Sequence, residues 1–94
     1  MTVAELDAAP SLPNGQSACV QALWHARHGS WDRAHELVQD LETPLASWVH
    51  ALLHLIEGDV GNAGYWFARA GKPRRSSAQI DALWREIAAE ALQA

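Results

Sequence analysis

Residues 49–58, VHALLHLIEG, repeat residues 20–29, VQALWHARHG, at a spacing of 29 residues. Laying Val20–Pro44 over Val49–Pro73 extends the match to Val20/Val49, Ala22/Ala51, Leu23/Leu52, His25/His54, Gly29/Gly58, Ala34/Ala63 and Pro44/Pro73. The shared positions are punctuation and packing. A glycine follows one amphipathic run, a small residue sits inside the next, and a proline closes the unit. A period of this size with one helix pair per unit predicts an α-solenoid or a repeat-built helical bundle.

Working outward from that stretch, five helices are expected. The first runs from about residue 16 to 28 with the apolar stripe Cys19, Val20, Leu23, Trp24, and Gly29 stops it where a left-handed C-cap costs least. Ser30 caps a second helix, about 31 to 41, which buries Trp31, Ala34, Leu37, Val38 and Leu41. Thr43 caps the third and Pro44 opens it, proline being tolerated at the first helical position. Its stripe is Leu45, Trp48, Val49, Leu52, Leu53 and Ile56, and Ala46 lies off it, so Ala46→Leu is read as milder than Ala63→Leu. Gly58 ends that helix, Asp59 caps the fourth, and Val60, Ala63, Trp66, Phe67 and Ala70 face inward. Gly61 and Gly64 inside the fourth helix each cost about 1 kcal/mol relative to alanine, a cost consistent with close approach of a neighbouring helix. Ser76 and Gln79 form a capping box for a fifth helix with the stripe Ile80, Leu83, Trp84, Ile87, Ala88, Ala91.

The fold expected is therefore all-α: two antiparallel helix-turn-helix repeats plus a C-terminal capping helix, in one domain over residues 16–94. Residues 1–15 carry Pro10, Pro13 and Asn14-Gly15 and read as a flexible arm with a short helical turn around Val3–Ala8. Two repeats are fewer than solenoids usually need, so the fifth helix must cover apolar surface. The length of its stripe leads to the expectation of a homodimer.

Apolar residues make up 49% of the 94 residues, which excludes compositional disorder. Five tryptophans, each able to bury roughly 150–250 Å², read as core anchors in so small a domain. The net charge of −4 argues against wholesale binding to nucleic acid or anionic membrane. The single cysteine, Cys19, excludes an internal disulfide and a cysteine-built zinc site. No run is long and apolar enough to span a bilayer and no secretory pattern opens the sequence, so a soluble cytoplasmic protein is expected.

The helix pairs resemble a tetratricopeptide repeat. Ala22 would face Ala34, and Ala51 would face Ala63. Ala63 and Phe67 match that family's alanine and phenylalanine four apart, Ala34 and Val38 are a weaker copy, and Pro44 and Pro73 close the units. The resemblance implies a helical scaffold that binds peptides or helices. The period is 29 rather than 34, and Ser47, His50 and His54 stand where the family often places tryptophan, leucine and tyrosine. The segment 48–71 is also similar to one in small uncharacterised bacterial and fungal proteins, which implies no function.

Two constellations could carry chemistry. His50 and His54 stand four apart on one helix face, and His25 and His28 three apart on another. If like helices stack, His25, His28, His50, His54 and Glu57 form a strip able to ligate a divalent ion. The alternative is solvated or hydrogen-bonded interface histidines. With only Glu57 and Gln21 to orient the rings, no tightly held metal and no cofactor is expected. The second constellation is basic. Arg69, Lys72, Arg74 and Arg75, four of the seven basic residues, lie between one helix C-terminus and the next N-terminus, beside Tyr65. They form a candidate partner or anion site, or a solvated loop that complements the helix dipoles. No spacing implies a nucleophile with its base, and the glycines of 58–64 sit in a helical hairpin rather than a phosphate loop. The leading expectation is a non-enzymatic protein–protein interaction module with an unknown protein or peptide partner. A ligand- or metal-binding bundle and a self-associating module are the alternatives.

Overall fold

The computed structural model describes all 94 residues. It is all-helical: α1 (Val3–Ala8), α2 (Ala18–Arg27), α3 (Trp31–Val38), α4 (Pro44–Ile56), α5 (Val60–Ala70) and α6 (Ile80–Ala91), with a 3₁₀ turn at Ser77–Gln79 leading into α6. No helix is long and apolar enough to cross a membrane.

Local chemistry sets the boundaries. The Thr43 side chain accepts from Ala46 N at 3.1 Å, and Pro44 is the first residue of α4. Asp59 Oδ1 accepts from Asn62 N at 3.3 Å to start α5. Gly29 and Gly58 follow α2 and α4 at φ +82° and +86°, a left-handed turn that only glycine enters without strain. Gln79 Oε1 accepts from Ser76 N at 3.0 Å, the reach-back half of the capping box. α3 ends at Val38, one turn short of expectation, and Leu41 is 40% exposed in the connection that follows. Pro73 does not repeat the role of Pro44. It lies in the irregular connection after α5, and α6 begins seven residues later.

α2 pairs with α3 and α4 with α5, while α4 also packs against α2, α3 and α6. Ala22, Ala34, Ala51 and Ala63 are at most 1% exposed. Enclosure by four helices changes the reading of α4. Every residue from Ala46 to Leu55 is buried, so its burial follows no stripe. Leu55, left off the expected stripe, is 1% exposed, whereas Ile56 emerges at 37%. Ala46 is fully buried too and gives no tolerant comparison with Ala63; the exposed Ala68 does. Val60, expected inside, is exposed.

The amino-terminal segment is docked rather than free. The Thr2–Glu5 capping box starts α1, Leu6 is fully buried, and Trp24 Nε1 donates to Ala9 O at 3.1 Å. A ring of charges then joins three helices. Arg27 meets Asp7 and Asp81 at 2.9 Å each, and Arg85 meets Asp7 at 3.2 Å and Asp81 at 3.1 Å. The Arg85 hydrogen bond, with Arg27 adding to it, holds the Asp81 carboxyl below its usual range. Beneath the ring lies Trp84, 1% exposed, with the Arg27 guanidinium 4.0 Å above it and its Nε1 donating to Leu23 O at 2.8 Å. The apolar stripe of α6, whose length leads to the expectation of a homodimer, is thus largely covered within one chain.

Of the five tryptophans, Trp48 and Trp84 are buried, and Trp24, Trp31 and Trp66 are half-buried against the core. Cys19 is buried on α2 and burial pushes its thiol upward, which makes it an inert packing residue.

Candidate functional site: a histidine cluster between α3, α4 and α5

α4 carries three buried polar residues, Ser47, His50 and His54. Their spacing of three and four places them on one side of the helix. α3 presents His35 to this seam, and α5 presents Trp66. His35 Nε2 lies 2.9 Å from His50 Nε2, so one of the two rings donates and the other accepts. His54 stacks on His50 at 4.8 Å between centroids, and His54 Nδ1 meets Glu57 Oε2 at 2.6 Å. Ligand nitrogens of His35, His50 and His54 all lie within 4.8 Å of one another.

Indole rings wall the cluster. Trp66 stacks on His50 at 3.8 Å and 16°, and Trp31 stacks on His35 at 4.8 Å and 10°. Trp31 is itself fixed, its Nε1 donating to Leu53 O at 2.7 Å. His50 is 4% exposed, and its Nδ1 is buried without a hydrogen-bond partner. Burial first, then His35 and His54, lowers its pKa to about 4.

That depression has a sign. The unfolded chain protonates His50 near its ordinary value of about 6.5, whereas the folded chain resists until about pH 4. The stability contributed by a neutral His50 is complete above about pH 6.5 and falls as pH drops toward 4. Thermal melts in EDTA-containing buffer should therefore lose stability from pH 7 to 4.5, and less steeply in His50→Gln. Parallel profiles for the two proteins would show that His50 does not titrate in this way.

The histidines expected as a single strip divide into two groups. His50, His54 and Glu57 come together. His25 and His28 instead organise around Trp24: His28 stacks on it at 4.1 Å with its Nδ1 2.9 Å from Trp24 O, and His25 meets the indole edge at 5.2 Å. His35 takes the place expected of them. Sequence spacing gave no reason to join it to His50, 15 residues away. The available signal was that His35 follows Trp31 by four, on the face assigned to the interior.

The basic residues do not converge on one anion site. Arg75 pairs with Glu86 at 2.6 Å and Lys72 with Glu90 at 3.7 Å, both clasping α6, and Lys72 Nζ also lies 4.3 Å over Trp48. Arg74 lays its guanidinium against Gly64, where a Cβ would collide with it. That side chain, rather than a helix backbone, is what the absence of a side chain at position 64 accommodates; Gly61 faces open space. Arg69 Nη1 donates to Tyr65 Oη at 3.1 Å, and its guanidinium lies 5.3 Å over Trp66. A scan against protein-family models finds no match, and comparisons with curated proteins and with solved structures return no significant match either.

Proposed function

We propose that this chain is a small, non-enzymatic interaction module that offers one face of α5 to a protein partner in a soluble, cytoplasmic setting. The tetratricopeptide-like pairing of its helices is the framework of that reading. The observation that carries it is the Tyr65–Arg69 pair. Tyr65 is 55% exposed, yet its hydroxyl is held by Arg69, four residues on and so on the same helix face. Arg69 has no carboxylate within ion-pair distance in the chain, unlike Lys72 and Arg75. An ordered tyrosine beside an unpaired guanidinium is the composition of an interface hot spot. Trp66 backs it at 5.2 Å edge-on, and Trp66 rests on His50. The platform is therefore pre-organised, and less entropy is lost when a partner binds it. The favoured partner is a helix or peptide that sets a carboxylate beside an apolar side chain.

A pull-down from native lysate tests this with Tyr65→Ala/Arg69→Ala as the comparison. Both residues are exposed, so the melting temperature should hold while the partner is lost. Identical captured proteins from both baits would refute the assignment. If the partner is a second copy, light scattering at micromolar concentration should give twice 10.3 kDa, and the double variant should return to a monomer.

A further inference from the structure

We propose that His35, His50 and His54 are the protein ligands of a divalent transition-metal ion of the zinc class, bound between α3 and α4 beneath Trp31 and Trp66. Neutral imidazoles without thiolate suit zinc, copper and nickel. Zn–N bonds of 2.0–2.1 Å at tetrahedral angles separate ligand nitrogens by about 3.3 Å. His35 Nε2 and His50 Nε2 already stand 2.9 Å apart. Inserting an ion in place of their shared proton opens them by only about 0.4 Å. The third ring lies within the same 4.8 Å.

Orientation, the objection raised by sequence alone, is met in the structure. Glu57 holds His54 Nδ1 at 2.6 Å, which fixes that ring and leaves Nε2 for the metal. This is the carboxylate–histidine support common at zinc centres. Trp31 and Trp66 hold the planes of His35 and His50. Three imidazoles packed against one another, two of them sharing a single proton between their Nε2 atoms, are a poor way to fill a core without an ion. Asp59, also near Glu57, is committed to capping α5. Three histidines leave a fourth position for water.

The test uses the full chain without a polyhistidine tag, stripped with EDTA and titrated with zinc sulfate by calorimetry. In parallel, loaded and gel-filtered protein is assayed for metal by mass spectrometry. One zinc per chain is expected, with a raised melting temperature. His35→Ala should weaken binding about 100-fold or more and Glu57→Gln about 10–100-fold. His35 is only half-buried on α3, and circular dichroism checks that its variant folds. His28→Ala should bind like the parent, and X-ray absorption should report three imidazoles. Folded parent protein that takes up no stoichiometric zinc overturns the proposal. Uptake unchanged in His35→Ala, or abolished in His28→Ala, overturns it equally.

Discussion

Trp84→Ala should remove a large part of the domain's stability and move its urea midpoint far below the parent's. Truncating a buried large aromatic costs about 3–5 kcal/mol, and a chain of this size is stable by only about 5–15 kcal/mol. Here packing is only part of the loss. The indole N–H that ties α6 to Leu23 O disappears, and so does the ring beneath Arg27. Arg27 then keeps Asp7 and Asp81 but stands over a void. Trp84→Phe separates the contributions, because it keeps most of the apolar contact and forfeits the hydrogen bond, at roughly 1–2 kcal/mol. Urea titrations followed by circular dichroism measure both. A Trp84→Ala midpoint close to the parent's would mean that Trp84 does not hold α6 against α2.

Removing α6 altogether should have a larger effect still. A 1–73 fragment loses Leu83, Trp84, Ile87, Ala88 and Ala91, all buried. It uncovers the sides of α2 and α4 against which α6 packs. It also strips Asp7 of Arg85 and leaves Lys72 without Glu90. The fragment should bind a hydrophobic dye, lack near-ultraviolet dichroism and melt without a cooperative transition. A soluble 1–73 fragment with a sharp melt would show that the two hairpins suffice by themselves.

Most helix ends were legible, because capping is local chemistry, although Ser30 starts α3 without the side-chain bond expected of it and α3 stops a turn early. Thr43-Pro44, Gly58-Asp59 and Ser76 with Gln79 each mark a boundary through groups at most three residues apart. What depended on tertiary enclosure was hidden. The stripe of α4 put Ile56 inside and left Leu55 out, and the packing reverses both, since a helix surrounded over its middle turns by four others has no outward face there to read. α1 is too short to show periodicity, so its single core residue, Leu6, carried no signal. The site was half legible. His50, His54 and Glu57 share a helix and were grouped by spacing. His35 reaches them only through the α3–α4 turn, a relation that no period encodes. The basic residues were seen as a cluster because they are close in sequence, but their side chains part toward Glu86, Glu90, Gly64 and Tyr65.

The position of α4 also has a consequence for how the molecule comes apart. In an open solenoid each unit touches only its neighbours, so the array can fray from one end. Here α4 borders α2, α3, α5 and α6 at once, and no hairpin can detach without wetting it. The chain therefore has no inner seam along which to unzip. Its slowest-exchanging amides should lie in the middle turns of α4 and open only with the whole molecule. Whatever binds the histidines of that helix would act on the stability of the entire domain rather than on one repeat.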